Sequence, residues 1–405
     1  LLAAIDIGTT KVVCFIARRE AQGPRVIGIG HQISRGVRNG LIVDLDAAAT
    51  SMLNAVHAAE QMAGENITQV VVNLSNGFPP SRIVPVEIPL SGREIGDAEM
   101  KRVLALGHQH RESDERQIIH SIPIGFSIDG GTGVREPRGM LGERLAVNMH
   151  VVSANTAQIR NVVSAVGRCH LEVAGMIVSP YAAGLSALVE DELELGATLV
   201  DMGGGTTSIA VFYDGAIVFA DTVPVGGGHV TNDIARGLVT PIAHAERMKT
   251  LYGSATPSAA DERESIGIQQ VGEADGPAVN VPKSHLVGVI SPRIEETLEL
   301  VRDRLEHSGF DRLAGRQVVL TGGASQLPGT RELAAMILDK QVRLGRPLRV
   351  QGLAEATQGP AFATTAGLLH FAASETAEFR GRAFDTTPGS PGAFGRLGNW
   401  LREYL

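Results

Sequence analysis

The sequence predicts an α/β protein of two lobes, with a small α/β subdomain inserted into the first lobe and an amphipathic helix at the C-terminal end. Three observations predict it. One glycine turn occurs twice, as Asp6-Ile-Gly-Thr-Thr-Lys11 and as Asp201-Met-Gly-Gly-Gly-Thr-Thr207. Each copy lies between apolar runs (residues 1–5 and 12–17; 197–200 and 209–212), which reads as strand, tight turn, strand. At 405 residues the chain is too long for one core and divides into domains. The third observation is a stretch of different rhythm, residues 77–155, that interrupts the first half.

The elements follow in order. A third strand near residues 26–33 precedes a helix over 44–62, where small and apolar residues recur at helical spacing and Asp44 or Asp46 supplies the N-cap. Residues 68–74 form a strand, broken by Asn76-Gly-Phe-Pro-Pro80. In the inserted segment, 82–90 alternates like an edge strand carrying prolines, and Asp97 caps a helix running towards His110. Strands are expected at 117–128 and 144–152, then a helix at 156–166 and a strand at 171–178. Pro180 starts a small-residue helix, which the acidic run 190–194 closes. After the second glycine turn, strands 209–213 and 216–223 flank the hairpin signal Asp214-Gly215. Val225-Gly-Gly-Gly228 leads into a helix over 229–238. Residues 254–282 are polar and read as loops and short strands. Ser291 as N-cap and Pro292 at N1 start a helix that runs to His307. A buried strand at 317–320 ends in Thr321-Gly-Gly323, and a helix follows over 328–338. Beyond Phe371 the pattern fades, and Pro388-Gly-Ser-Pro-Gly392 reads as linker.

The domain division is therefore a first lobe of 1–76 and 156–197, the inserted subdomain 77–155, and a second lobe of 198–229 and 314–372. A small subdomain of the second lobe takes 230–313, a linker 373–392 and the terminal helix 393–405.

Composition narrows the function. A net charge of −8 with pI ≈ 5.9 argues against nucleic-acid binding, which wants a basic face. Cys14 and Cys169 sit in apolar contexts without Cys-x-x-Cys spacing and read as buried free thiols of a reducing compartment. The histidines are scattered, His108 and His110 being the only close pair, which disfavours a histidine metal site. Neither a secretory signal nor a spanning helix is legible.

The chemistry resides in the paired turns. Glycines let the backbone N–H groups approach an anion, and threonine hydroxyls add donors. A carboxylate at each turn, Asp6 and Asp201, can hold a hydrated Mg²⁺. Two such loops face to face would grip the phosphates of one nucleotide.

The arrangement resembles the actin-like ATPase superfamily, and the fold it implies is the actin-like, ribonuclease-H-like two-lobe ATPase fold. Its marks are phosphate loop one (Asp6 to Lys11), phosphate loop two (Asp201 to Thr207) and an adenosine loop, Val319-Leu-Thr-Gly-Gly-Ala-Ser-Gln-Leu-Pro328. Ala245-Glu-Arg-Met-Lys249 is similar to the superfamily helix whose Glu and Lys meet ribose and base; an ordinary i,i+3 surface pair is the alternative. The resemblance implies ATP or ADP held by Gly8, Thr9, Thr10 and Lys11, by Gly203, Gly204, Gly205, Thr206 and Thr207, and by Gly227. Glu246, Lys249, Gly322, Gly323 and Ala324 complete the set. Within the superfamily, His120-Ser-Ile-Pro-Ile-Gly-Phe-Ser-Ile-Asp-Gly130 and Gly139-Met-Leu-Gly-Glu-Arg-Leu145 resemble the subdomain of the FtsA family of bacterial cell-division proteins.

One departure stands out. Superfamily members usually carry Glu-Pro where this chain has Ser179-Pro180, and that Glu helps position the attacking water. A hydroxyl cannot replace a carboxylate there, so slow or negligible ATP turnover is expected, with at most a weak ATPase.

In the tail, Phe394, Leu397, Trp400, Leu401 and Tyr404 form one apolar stripe on a helix of ~20 Å, too short to cross a bilayer. Trp and Tyr favour the membrane–water interface, so a membrane-surface anchor is expected, with docking on the protein's own body as the alternative. A lone short helix binds weakly, and many tails on one polymer would bind by avidity. The resemblance implies filaments, the C-terminal peptide of tubulin-like FtsZ as a partner, later divisome proteins, and a place on the cytoplasmic side of the inner membrane at the division site. The peptide would dock around residues 230–312, where Arg293, Arg302 and Arg304 offer a basic face. The runner-up is a small-molecule phosphotransferase of the sugar-kinase type, since the same fold serves both. No further cleft Asp stands out as its base.

Overall fold

The computed structural model describes residues 1–108, 115–272 and 278–374. The chain opens as an antiparallel meander of β1 (Leu2–Ile7), β2 (Lys11–Glu20) and β3 (Gly23–Ile33). The short pair β4 (Val37–Arg38) and β5 (Leu41–Ile42) leads into α1 (Leu45–Ala63). Of the two candidate caps it is Asp44 that acts, its carboxylate accepting from the N–H groups of Asp46 and Ala47. Gly30 lets α1 lie close on β3: a Cβ there would stand 1.7 Å from the Ala55 carbonyl oxygen. β6 (Gln69–Leu74) then pairs parallel with β1.

The inserted segment builds its own sheet from β7 (Arg82–Pro89), α2 (Asp97–His108), β8 (Arg116–Ile128), β9 (Gly131–Val134) and β10 (Arg144–Asn155). The strand order is β7-β10-β8-β9, which leaves the proline-bearing β7 at an edge. Its core gathers Ile88, Met100, Val103, Leu145 and Met149. Asp97 lies inside the first turn of α2 and does not cap it; the N–H of Gly96 donates to Glu99 Oε2 instead. His110 lies outside the described residues. This sheet docks on the second lobe at Ser81, whose N–H donates to the Ala220 carbonyl (2.8 Å) and whose Oγ accepts from Ala220 N–H (2.7 Å). His150 Nε2 shares a 2.8 Å hydrogen bond with the same Oγ, and burial pushes that imidazole down to about 3.

α3 (Thr156–Gly167) and β11 (Glu172–Val178) return to the first sheet, whose order is β11-β6-β1-β2-β3. α4 (Ser179–Ala187) follows. The acidic run forms a helix of its own, α5 (Glu190–Leu195), because Glu192 accepts from Val189 N–H and holds Arg343.

The second half repeats the plan. β12 (Ala197–Met202), β13 (Thr207–Tyr213) and β14 (Ala216–Val223) make the meander. α6 (Gly227–Gly237), α7 (Ile242–Tyr252), the hairpin β15 (Ser265–Ile268) and β16 (Val279–Pro282), and α8 (Lys283–Ser308) form a side unit. β17 (Gln317–Thr321), α9 (Thr330–Leu338) and β18 (Gln341–Leu344) complete a sheet of order β14-β13-β12-β17-β18. In each half an antiparallel three-strand meander is extended by two parallel strands beside its first strand.

The expected start of α8 at Ser291 is corrected. α8 begins eight residues earlier, with Pro292 inside it and Ser291 buried. Proline removes one intrahelical hydrogen bond, yet Leu286, Val287 and Ile290 upstream are buried on the helical face that Ile294, Leu298 and Val301 continue. Core burial outweighs the local break.

The last described helix, α10 (Ala363–Ala373), was not expected. It packs on α4 and on the face of the first sheet carrying Ala4, Val13, Phe15 and Ile177, opposite the face that α1 covers. Gly367 permits the contact: a Cβ there would stand 1.7 Å from the Ala182 carbonyl oxygen. Among the described residues no helix is long and apolar enough to cross a membrane.

Candidate functional site

The two glycine turns meet between the lobes, and their geometry matches. In loop one the N–H of Gly8 donates to the Lys11 carbonyl (3.1 Å); in loop two Gly203 donates to Thr206 (2.9 Å). The tips interdigitate. A Cβ on Gly204 would fall 1.9 Å from Thr10 Oγ1, and one on Gly205 2.5 Å from Thr9 Oγ1. The threonines of one turn thus occupy room that the glycines of the other leave open. The turns close one end of a cleft of about 430 Å³.

Of the sequence-derived nucleotide residues, Gly8, Thr9, Thr10, Lys11, Gly203, Gly204, Gly205, Thr206, Gly227, Glu246, Lys249, Gly322, Gly323 and Ala324 all line this cleft. Thr207 does not. It is the first residue of β13 and faces away, its hydroxyl donating to the Val225 carbonyl (2.8 Å). Gly227 reaches the cleft with its N–H already donated to Gly203 (2.9 Å). Gly322 adopts φ +84°, and a Cβ there would stand 2.4 Å from Asp201 Oδ1, so the adenosine-type loop abuts loop two only through glycine.

Asp6 is buried and Asp201 half-buried in the cleft wall. Burial raises both carboxyls, Asp201 to about 6, with the neighbouring Asp6 adding to the rise. Lys11 lies near both, yet its ammonium turns to the Ala361 carbonyl and over the Phe362 ring, 3.6 Å from the centroid. Burial pulls it down to about 8. Two desolvated carboxylates beside a single weakened ammonium form a donor set suited to a hydrated dication.

Glu246 and Lys249 form the i,i+3 pair that their spacing allows, at 2.7 Å, and both also bind Thr231. The pair is tied to α6 and lines the cleft, so it is more than a solvated surface pair.

Sequence reading missed a polar relay beneath loop one. Asn73 Nδ2 donates to Asp6 Oδ1 (2.9 Å) and to Ser179 Oγ (3.0 Å), and Ser179 Oγ lies 2.9 Å from Ser75 Oγ. Asn73 Oδ1 accepts from Ile7 N–H (2.6 Å). Asparagine in the apolar run Val70-Val-Val-Asn73 was the available signal, since a buried amide needs partners. Thr364 and Thr365 of α10 were missed as well: Thr364 Oγ1 donates to Asp201 Oδ2 (2.9 Å) and Thr365 Oγ1 to Asp6 Oδ2 (3.1 Å).

The arginines expected to share one face of α8 do not. Residues 293 and 304 lie about 20° apart around the helix, while 302 falls on the far side. Arg293 pairs with Asp233 (2.5 Å) and Glu296, Arg304 with the buried Asp221 (3.3 Å). Arg302 instead reaches the Ile337 carbonyl (3.4 Å) and Glu306 (3.9 Å). Phe394, Leu397, Trp400, Leu401 and Tyr404 lie outside the described residues.

With this geometry established, comparison with known proteins is informative. A family model described as cell division protein FtsA matches residues 198–367, and one described as an SHS2 domain inserted in FtsA matches residues 80–153. A cell division protein FtsA of Rhizobium meliloti (strain 1021) is 47% identical, the match covering 100% of this chain and 94% of that protein. That of Escherichia coli (strain K12) is 32% identical over 100% and 98%. Among solved structures, the PilM–PilN type IV pilus biogenesis complex aligns at TM-score 0.65 and 18% identity, covering 92% of this chain and 98% of the other. MreB5 of Spiroplasma citri bound to ADP aligns at 0.53 and 15% (90% and 94%), and the MamK double helical filament at 0.52 and 12% (92% and 98%). Likeness at this identity speaks to architecture alone, and the architecture is the actin-like one.

Proposed function

The chain belongs to the FtsA family of cell division proteins, and from that premise we propose that it is an ATP-binding, polymerising adaptor that ties FtsZ to the cytoplasmic membrane. One observation carries the nucleotide part: two matched hairpin turns, one from each lobe, interdigitate at the end of a cleft that both aspartates line. Loop backbone and threonine hydroxyls present donors to the phosphates, Gly322 and Gly323 pass beside the nucleoside, and Glu246 with Lys249 sits at its sugar side. Asp6 and Asp201 would hold Mg²⁺ through its water shell, and the ion supplies positive charge against the phosphates. Titration calorimetry with ATP or ADP and Mg²⁺ tests this. Saturable uptake is expected, and a flat titration would refute it. An ADP-bound MreB5 and a filament-forming MamK share the architecture, which makes nucleotide-linked assembly a natural reading for this chain.

Turnover is slow in this proposal. Ser179 lies at the cleft but spends its hydroxyl within the relay of Asn73 and Ser75, and no carboxylate stands in its place to orient water. Installing one should therefore help: Ser179→Glu is expected to raise phosphate release by ~10²-fold or more. An unchanged rate in a variant that still binds ATP would remove this explanation of slow turnover.

The membrane part rests on the apolar stripe of Phe394, Leu397, Trp400, Leu401 and Tyr404. In flotation with anionic vesicles the full chain is expected to rise with the lipid, and a chain ending at Ala393 to stay at the bottom. Flotation of both forms would assign the contact elsewhere. The FtsZ peptide is proposed to dock within residues 230–313. Arg293 and Arg304 already hold Asp233 and the buried Asp221, so an incoming acidic peptide would have to compete with those pairs.

A further inference from the structure

The polar contacts of α10 reach both lobes within one helical turn. Thr364 donates to the second-lobe carboxylate Asp201, and Thr365, the next residue, to the first-lobe carboxylate Asp6. Both hydroxyls are buried, and each takes the Oδ2 atom of its partner. Asn73 holds the other oxygen of Asp6, and Gly322 lies against the other oxygen of Asp201. Consecutive helical residues point about 100° apart, so the first turn of α10 fixes the orientation of the two carboxylates relative to each other. A carboxylate oxygen accepts more than one hydrogen bond, which leaves lone pairs for the water shell of an ion.

The same turn is strapped just upstream to the adenosine-type loop and to loop one. The Pro360 carbonyl accepts from Gly322 N–H (3.2 Å) and Thr321 Oγ1 (3.0 Å), and the Ala361 carbonyl from Lys11 Nζ. The helix cannot slide to suit a differently placed carboxylate, because Gly367 sits against the Ala182 backbone.

We propose that Thr364 and Thr365 are positioning residues for the dication: their hydroxyls orient Asp201 and Asp6 so that one hydrated ion is shared between the lobes. This rests on the nucleotide reading above and goes beyond it, since it makes α10, which follows β18 in sequence and packs on the first sheet, part of the metal site's support. Partners behind the ligating groups commonly govern metal affinity by ten- to a hundredfold.

The test is calorimetric titration of the full chain with ADP, once with Mg²⁺ and once with a chelator. Wild type is expected to bind more tightly with Mg²⁺. Thr364→Val and Thr365→Val, which keep shape and lose the hydroxyl, should each cut that Mg²⁺-dependent gain by ~10-fold while leaving the chelator value unchanged. Thr364→Ser and Thr365→Ser should restore it. Valine variants with the full gain would overturn the proposal, as would equal losses with and without Mg²⁺, or serine variants as weak as valine. Where a valine variant fails to fold, the alanine variant takes its place with the same expectation. Wild type that ignores ADP altogether would instead overturn the nucleotide reading, and this proposal with it. A wild type that binds ADP alongside unaltered variants would overturn this proposal alone.

Discussion

Asp201→Asn is expected to weaken Mg²⁺-nucleotide binding by ~100-fold or more and, without ligand, to make the protein more stable at pH 7.5. The binding loss follows from charge. Two carboxylates, one buried and one half-buried, draw the dication into the cleft, and at ~4 Å one unit pair there is worth about 4 kcal/mol at an effective dielectric of 20. The stability gain follows from linkage. Burial raises the Asp201 carboxyl from 3.8 to about 6. The folded state thus binds this proton more readily than the unfolded chain does. The resulting stabilisation is fully present below pH 3.8 and is lost as the pH rises through 6. Above that, ionised Asp201 costs about 3 kcal/mol relative to a neutral group at 1.36 kcal/mol per pH unit. Asparagine removes the cost and still accepts from Thr364. Thermal unfolding with a chelator at pH 7.5 and at pH 4 checks it: the variant should melt higher at the first and level with wild type at the second. Equal melting at both would mean that Asp201 is not desolvated as described.

Gly367→Ala should be among the most damaging additions of a single methyl group. The added carbon would stand 1.7 Å from the Ala182 oxygen and 2.3 Å from its carbonyl carbon, so two helix backbones must part. No side-chain rotation relieves a backbone contact. A loss near the top of the overpacking range, about 3 kcal/mol, is expected. That is a large share of a stability of ~5–15 kcal/mol. The melting temperature should fall by about 3–4 °C, the entropy of melting being large for a chain of 405 residues. Nucleotide affinity should fall too, because α10 carries Thr364 and Thr365. Gly288→Ala is the control. Its Cβ would meet nothing within 4 Å, and alanine favours a helix, so unchanged or slightly raised stability is expected. Equal effects at both glycines would point to propensity and away from the α4–α10 contact.

The positions of most strands along the chain could be read in advance because apolar runs between turn residues leave few choices; their order in the sheets could not. The paired turns, the Asp214-Gly215 hairpin and the edge strand with Pro85 and Pro89 are local signals, and each lies where the local chemistry put it. The failures have a common cause in tertiary burial. Ser291-Pro292 carries a sound local signature for a helix start, but the upstream turn at Leu286, Val287 and Ile290 is needed in the core, and the helix runs through the proline. α10 was invisible because Ala363-Thr-Thr-Ala-Gly-Leu-Leu369 is apolar or small on all sides, as befits a helix surrounded by protein, and shows no amphipathic face. At the site, the residues on glycine turns were legible since backbone geometry demands glycine. Asn73, Thr364 and Thr365 were not, because only the fold brings them within 3.1 Å of the two aspartates. Thr207 shows the converse, a residue in the right motif that strand alternation turns away.

The Ser81–Ala220 contact carries a consequence for solubility. β14 is the outermost strand of the second sheet, and an unguarded outer strand offers its amide groups to any extended chain that drifts past. Ser81 occupies both hydrogen-bonding groups of Ala220, and β8 and β10 of the inserted sheet touch β14. The insertion thereby blocks the middle of a ladder at which neighbouring copies could otherwise add strand to strand.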